Sequence, residues 1–150
     1  MYYHNLDILV PIDFSEASLH ALREAVSLVR VTGGKVSVLH VGVTPHLYAT
    51  DLGPTGAAGT QLLALGRELA LEQEHALERV CKQEIPEGIE HRQILREGFP
   101  PQEILEQVKD GKHDLVVMGT HGRTGIKRVL LGSVTERVLR ECTVPALIAH

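Results

Sequence analysis

The sequence has no tryptophan, and its aromatic residues are limited to two phenylalanines and three tyrosines. A protein that stacks single-stranded nucleic acid on its surface needs more aromatic side chains than this. Positive charge is also scarce, because 15 lysines and arginines stand against 19 aspartates and glutamates, for a formal net charge of −4. Nucleic-acid-binding domains usually carry a basic patch. The composition therefore predicts no nucleic-acid partner.

The sequence holds two cysteines, Cys81 and Cys142, which lie far apart along the chain. A disulfide framework needs more cysteines at closer spacing, so we expect two free thiols in a reducing cytoplasm. Residues 1–10 show no basic segment followed by a long apolar core, which argues against a signal peptide. No apolar run approaches the ~18 residues of a transmembrane helix. These absences predict a cytoplasmic protein that does not enter a membrane.

The motifs of several enzyme classes are also missing. No Gly-x4-Gly-Lys-Ser/Thr motif occurs, so the chain is not expected to be a P-loop NTPase. No Gly-x-Gly-x-x-Gly follows the first predicted strand, which disfavours a dinucleotide site. The nine histidines include no helical pair four residues apart, which disfavours a metal site built from protein ligands alone. No serine has the G-x-S-x-G setting of a nucleophile, and we name no catalytic residue.

Short apolar runs alternate with amphipathic stretches along the 150 residues, a length that predicts a single domain, 1–150. Strands that alternate with helices predict a parallel sheet covered on both faces. The third strand is rich in charges and is expected at a sheet edge, whereas Pro11 is expected to end the first strand. Strands are predicted at 6–10, 35–41, 89–97, 115–118 and 146–149, and helices between Ser15 and Gly33, at 61–84, between Pro101 and Gly111, and at 133–141.

Residues 42–59 interrupt this alternation, because they are rich in glycine and proline and have no sustained period. A loop of about 18 residues in a compact domain tends to be functional or mobile. Gly53, Gly56 and Gly59 suggest a phosphate loop, but no strand precedes them and no lysine follows. We therefore expect a flexible linker or a lid at 42–59.

The stretch 115–135 carries the strongest functional pattern. Its strand breaks into Gly119 and Gly122, and Gly132-Ser133 then begins a helix. Glycines let backbone N–H groups approach a ligand closely, and a helix start offers N–H donors and the positive end of a dipole. Ser133 could cap the helix or donate to a phosphate. The pattern predicts an anion site; the alternative is a tight turn before an ordinary capped helix.

Charged residues near these glycines have two interpretations each. Arg123, Lys127 and Arg128 could face a polyphosphate or could simply be solvated on an exposed loop. Asp13, just after the first strand, could contact a ribose, a base or a divalent cation, or could form a turn or cap a helix. His121 could contact a ligand or hydrogen-bond its own loop. If strands one and four are neighbours, both loops flank one crevice at the carboxyl ends of the strands.

The spacing Gly119-x2-Gly122-x9-Gly132-Ser133 resembles the Gly-x2-Gly-x9-Gly-Ser/Thr signature of the universal stress proteins, in their ATP-binding branch. This resemblance implies a three-layer α/β fold, with an open parallel five-stranded sheet in the order 3-2-1-4-5 and helices on both faces. Such a fold is Rossmann-like and similar to that of the adenine nucleotide α-hydrolases. The resemblance covers essentially the whole chain, since residues 8–15, 38–41, 116–119 and 145–148 are similar to the first, second, fourth and last strands of the family.

The resemblance also implies that ATP, with or without Mg²⁺ near Asp13, binds in the crevice between strands one and four. Backbone N–H groups would hold most of the phosphate oxygens, and the backbone of Val41 would meet the adenine. The implied contacts on the adenosine side are Pro11, Ile12, Asp13, Val41, Met118 and Gly119; those on the phosphate side are Gly122, Gly132, Ser133, Val134 and Thr135, with the candidates His121 and Arg123 in the loop between them.

The function implied is a nucleotide-dependent regulator of a stress response that acts as a homodimer. The last strands, 144–149, would pair antiparallel across the dimer; the alternative is a small edge strand covered by a helix. Turnover of ATP is expected to be weak at most, because we can name no residue that would orient the attacking group. Two other functions stay open: a dimeric interaction module of the same fold that uses no nucleotide, and an enzyme of the α-hydrolase type, which would need a phosphate loop after strand one.

Overall fold

A computed structural model describes residues 4–42, 57–120 and 131–150. The sheet is parallel, and its strand order is β3-β2-β1-β4-β5, which confirms the expected α/β class and order. Ile8 and Leu9 of the first strand pair with the fourth strand, so the expected neighbourhood of strands one and four is confirmed. The elements are β1 (Leu6–Ile12), α1 (Glu16–Thr32), β2 (Gly34–Gly42), α2 (Ala57–Glu84), β3 (Glu90–Glu97), α3 (Pro100–Gly111), β4 (Leu115–Gly119), α4 (Ser133–Glu141) and β5 (Ala146–Ala149).

The core lies on both faces of the sheet, and β1 runs through its centre. Ile8 and Val10 belong to a cluster formed with residues of α1 and α2. Leu9 points to the other face and belongs to a cluster formed with residues of α3 and α4. All three side chains are fully buried, as expected for a parallel strand with helices on both sides. This packing gives the three layers and leaves the two ends of the strands as the places where a ligand could enter.

Two predicted boundaries are wrong. Pro11 does not end β1, because the strand continues to Ile12, which pairs with His40 of β2. Pro11 is in register with Leu39 of β2 but lies beyond the register of β1 with β4, which covers Ile8 and Leu9, and its ring suits an extended backbone. Helix α2 begins at Ala57 rather than 61 and includes the last residues of the expected loop 42–59. The remainder of that loop, 43–56, lies outside the described residues.

The two ends of α1 follow their local sequence, whereas the carboxyl end of α3 does not. Ser15 caps α1 through its side chain, as predicted, and Gly33 ends the helix with a φ of 73°, a conformation that favours glycine. In α3 the left-handed residue is Lys112, not Gly111. Gly111 is needed for another reason, because a Cβ there would strike the side chains of Gln107 and His113.

The two thiols are free, as expected. Cys81 is 1% exposed, and burial raises the pKa of its thiol to about 11. Cys142 is partly exposed. Strand β3 lies at one edge of the sheet, as its charges predict. Within the described ranges, each helix is too short or too polar to cross a bilayer.

A polar cluster surrounds Asp7 of β1 at the amino edge of the sheet, by which we mean the side where the amino ends of the parallel strands lie. Its carboxylate accepts a hydrogen bond from Ser37 Oγ at 2.6 Å and lies 2.9 Å from His113 Nδ1. The Arg92 guanidinium donates to it at 3.1 Å, and Lys35 Nζ lies 3.4 Å away. Burial alone would raise the pKa of Asp7, but the hydrogen bonds from Ser37 and His113, with the charges of His113 and Arg92, hold it below its usual 3.8. Asp7 therefore stabilises the fold as an anion.

We expect Asp7→Asn to lower the free energy of unfolding by about 1–3 kcal/mol at neutral pH, because buried donors lose a charged acceptor. The folded-state pKa is depressed, so this contribution is present above the unfolded-state value near 3.8 and is lost as pH falls through the lower folded-state value. Urea titrations at decreasing pH should show the parent and variant converging. A difference in stability that stays constant with pH would contradict this role.

The matched control for that comparison is Asp110→Asn. The Asp110 side chain is 72% exposed and lies 3.7 Å from Arg96. An ion pair so exposed contributes little to stability. The control should therefore follow the parent at every pH.

Candidate functional site

A cavity of about 450 Å³ opens at the carboxyl edge of the sheet, the side where the carboxyl ends of the parallel strands lie. Its wall is formed by the ends of β1, β2 and β4, by the starts of α3 and α4, and by side chains of α1 and α2. The volume lies in the range of small-molecule sites. The lining residues are Pro11, Ile12, Asp13, Ser18, Leu39, His40, Val41, Gly42, Gln73, Pro100, Ile104, Met118, Gly119, Gly132, Ser133, Val134 and Thr135.

Every predicted site residue that the structure describes lines this cavity. The chain thus brings together positions that are far apart in sequence, while their roles toward a ligand stay predictions. His121, Gly122 and Arg123 lie outside the described residues, as do Lys127 and Arg128. The residues brought together are Pro11, Ile12, Asp13, Val41, Met118, Gly119, Gly132, Ser133, Val134 and Thr135.

The turn after β1 is held by a local hydrogen-bond network. Asp13 Oδ1 accepts from both the N–H and the hydroxyl of Ser15, and the Asp13 N–H donates to Ser18 Oγ at 3.3 Å. Between them, Phe14 has a φ of 65°, a left-handed conformation that is uncommon outside glycine. One of the two interpretations of Asp13, the turn former, is therefore observed. The same network holds its backbone at the cavity wall.

His40 forms part of the cavity wall that the sequence pattern does not predict. It is 3% exposed, and its Nδ1 lies 2.9 Å from the carbonyl oxygen of Ile12. Its ring centroid lies 4.5 Å from that of Phe14. The available signal is a polar residue inside the apolar run of β2. The other lining residues that the sequence does not predict are Ser18, Leu39, Gly42, Gln73, Pro100 and Ile104.

The start of α4 differs from the expected cap. Gly132 is the N-cap residue, and no described side chain caps the helix, so the prediction that Ser133 could serve as the cap is wrong. The N–H of Gly132 donates to the carbonyl oxygen of Thr120 at 2.9 Å. The first-turn amides of a helix have no partner within the helix. The amides of Ser133, Val134 and Thr135 are consequently the donors that α4 offers at the cavity.

The end of β4 is held in place by contacts with two helices, α1 and α4. Thr135 Oγ1 donates a buried hydrogen bond to the carbonyl oxygen of Gly119 at 3.0 Å. On its other side Gly119 approaches α1 so closely that a Cβ would lie 2.6 Å from the carbonyl oxygen of Ala17. Residue 119 must therefore be glycine, because any side chain would collide with the backbone of α1. The hydrogen bond from Thr135 places the first turn of α4 beside the end of β4.

The cavity wall has one apolar part and one part that offers hydrogen-bond donors. Side chains of Leu39, Ile104 and Met118 make one part apolar, and the uncapped start of α4 makes another part a donor surface for anions. Among the described residues, no group of three or more His, Cys, Asp or Glu side chains could hold a metal ion. The arrangement suits a ligand that has an apolar planar part and an anionic part.

Comparison with known proteins points to one family. The sequence model of the universal stress protein family matches residues 5–150. Universal stress protein MJ0531 of Methanocaldococcus jannaschii is 34% identical, over 94% of this chain and 79% of its own length. Universal stress protein MJ0577 of the same organism is 31% identical, over 94% of this chain and 92% of its own length.

Solved structures share the fold. The structure of MJ0577 superposes with a TM-score of 0.80 at 29% identity, over 99% of this chain and 96% of that chain. A universal stress protein solved in complex with cAMP superposes with a TM-score of 0.60 at 19% identity, over 98% of each chain. These similarities agree with the observed strand order.

We expect Thr135→Val to destabilise the protein by about 1–3 kcal/mol, because it keeps the shape of the side chain but leaves the buried carbonyl oxygen of Gly119 without its donor. Thr135→Ser is the matched control, since it keeps the hydroxyl. Thermal unfolding of the three proteins measures the effect. Equal losses of stability in the valine and serine variants would show that the methyl group, not the hydrogen bond, is what matters.

Proposed function

This chain belongs to the universal stress protein family, and from that premise we propose that it binds ATP in the cavity at the carboxyl edge of the sheet. The observation that carries the proposal is the uncapped start of α4 in the same cavity as the apolar ends of β1 and β2. The family member solved with cAMP shows that an adenine nucleotide can be a ligand of this fold. The bound nucleotide would regulate the role of the protein in a stress response.

The phosphate part of the proposed site lies at the start of α4. The amides of Ser133, Val134 and Thr135 would donate to phosphate oxygens, and the helix dipole favours the negative charge there. Gly132 contributes space rather than a donor, because its own N–H is bonded to Thr120. Gly122 and the candidates His121 and Arg123 would add to this part of the site.

The adenosine part of the proposed site lies over the ends of β1, β2 and β4. Apolar side chains of Pro11, Leu39 and Met118 line the cavity there, and the backbone of Val41 would meet the base. The carbonyl oxygen of neighbouring Gly42 is already bonded to the N–H of Gly98 at 3.1 Å. Base recognition by β2 backbone groups would therefore come from Val41.

Mg²⁺ would reach the site on the phosphates of ATP. Asp13 is the acidic residue among the described lining residues, and carboxylate oxygens are ligands that Mg²⁺ accepts. The residues that line the cavity supply no group that we would assign to orient an attacking water. We propose a nucleotide-dependent regulator with weak ATP hydrolysis at most, acting in the cytoplasm, where free thiols persist.

We propose in addition that the protein is a homodimer, formed by antiparallel pairing of residues 144–149. Strand β5 is the last strand at one end of the sheet, and an exposed edge presents unpaired backbone groups. Leu147 of this strand is 37% exposed. A second copy of β5 would cover both the edge and this side chain.

We expect isothermal titration to show ATP binding by the parent and loss of binding in Gly132→Val, because a branched Cβ would occupy the space of a phosphate. Gly132 has φ −59° and ψ 150°, values that valine adopts, so the variant should unfold at nearly the parent temperature. Small molecules released from denatured parent protein should include adenine nucleotide. A parent that neither binds nor carries nucleotide would favour the nucleotide-free interaction module; a variant that binds as tightly as the parent would contradict the phosphate position.

We expect Leu147→Glu to convert the dimer to a monomer in sedimentation velocity runs, because paired strands would bring two like charges together. Leu63→Glu is the matched control, since Leu63 is 41% exposed but lies on α2. The control should remain dimeric. A parent that sediments as a monomer, or a Leu147→Glu variant that stays dimeric, would disprove the proposed interface.

A further inference from the structure

Gln73 of α2 occupies a position at which the helix otherwise presents apolar residues to the sheet. Leu77 and Cys81 follow it at intervals of four, and each is 1% exposed. Residues four apart lie on the same face of a helix. Gln73 therefore points toward the sheet one turn before the core residues of α2, where an apolar side chain would be expected.

The carboxamide of Gln73 packs against the end of β2. A Cβ at Gly42 would strike its Oε1, Cδ and Nε2 atoms, so the absence of a side chain at Gly42 makes the room that the carboxamide fills. Within the described part of the chain, Gln73 Oε1 is the buried side-chain acceptor that has no hydrogen-bond partner. A buried acceptor without a partner costs stability and calls for an explanation.

Gln73 also separates two cavities. It lines the cavity at the carboxyl edge of the sheet and a neighbouring groove of about 540 Å³. Phe14, Leu69 and Ala76 give that groove apolar surface. One flexible side chain thus stands between the proposed base position and a groove in which apolar residues lie beside the polar and charged side chains of Glu72, His75 and Arg79.

We propose that Gln73 selects the base of the bound nucleotide, and that its Oε1 accepts a hydrogen bond from the exocyclic amino group of adenine. This rests on the proposed function, which puts the base beside Val41, the neighbour of Gly42. The terminal torsion of glutamine is soft, so the carboxamide turns from Gly42 toward the base at little cost. The unpaired oxygen of the ligand-free protein then finds its donor.

The chemistry of the carboxamide favours adenine over guanine. A glutamine pairs with adenine through one acceptor and one donor, at N6 and N7. Guanine presents two acceptors at the corresponding positions, O6 and N7, so the oxygen of Gln73 would stay unpaired. Sites that leave a buried polar group unpaired discriminate strongly against the wrong ligand.

We expect Gln73→Met to bind ATP about 5–30-fold more weakly than the parent, because it keeps the length of the side chain but removes the hydrogen bond. GTP affinity should change less, so the ratio of ATP to GTP affinity should fall. Gln83→Met, an exposed position on the same helix, is the matched control. The ratio of ATP to GTP affinity does not depend on the fraction of protein that is folded. A fall in this ratio therefore reports base selection, whereas a purely structural role of Gln73 would leave it unchanged.

We expect Gln73→Ala to gain binding of N6-benzyl-ATP, which the parent should reject. Removing the carboxamide joins the cavity to the groove, whose apolar side chains suit a benzyl group. A gain of affinity cannot come from partial unfolding. If the parent binds ATP but Gln73→Met keeps the parent ratio, or Gln73→Ala gains no affinity for N6-benzyl-ATP, the role of Gln73 is wrong while the proposed function stands. A parent that binds no ATP would instead overturn the proposed function itself.

Discussion

The hydrogen bond from Thr135 to the carbonyl oxygen of Gly119 is the contact on which the cavity depends. A parallel sheet brings the carboxyl ends of its strands and the amino ends of the following helices to one edge, but that topology leaves their spacing open. This hydrogen bond, together with the approach of Gly119 to Ala17, joins β4 to α1 and α4. The first-turn amides of α4 are thereby held beside the apolar ends of β1 and β2, which is the arrangement on which the proposed nucleotide site rests.

Polar groups at the amino edge of the sheet have hydrogen-bond partners within the protein, whereas some of those at the carboxyl edge have none in the described part of the chain. At the amino edge, Asp7 is surrounded by Ser37, Arg92 and His113, and its hydrogen-bonding capacity is met within the protein. At the carboxyl edge, the described residues provide no side-chain cap for the amides that begin α4 and no hydrogen-bond partner for Gln73 Oε1. Polar groups that are matched inside the protein stabilise it. Polar groups left unmatched at a cavity are available to a ligand, which explains why binding would occur at only one of the two edges.

The local sequence predicts most of the fold because buried parallel strands are short apolar runs and glycines mark the ends of helices. The resemblance to the universal stress protein signature predicts ten positions that the structure brings to one cavity, from Pro11 to Thr135, whereas the local pattern by itself points to Asp13, the glycines and Ser133. The local pattern wrongly predicts that Pro11 ends the first strand, because the position of Pro11 within β1 depends on which neighbouring strand pairs there. It also gives the wrong cap for α4, because the helix begins at Ser133 itself, one residue earlier than a serine cap at that position requires.

His40 and Gln73 could not be predicted for a related reason. Each is a single polar residue in an apolar row, and a local pattern does not reveal what lies opposite it. For His40 the partners are the carbonyl oxygen of Ile12 and the ring of Phe14. For Gln73 the neighbour is Gly42, 31 positions earlier in the numbering. In both cases the partner belongs to a different part of the fold, and only the folded chain shows which residue it is.

The burial of Cys81 has a consequence for how the fold responds to oxidants. Oxidants such as peroxides attack the thiolate and not the thiol. With a pKa of about 11, only about one Cys81 side chain in ten thousand is a thiolate at neutral pH. We therefore expect peroxide to oxidise the partly exposed Cys142 before the buried Cys81, so that the packing between α2 and the sheet is kept.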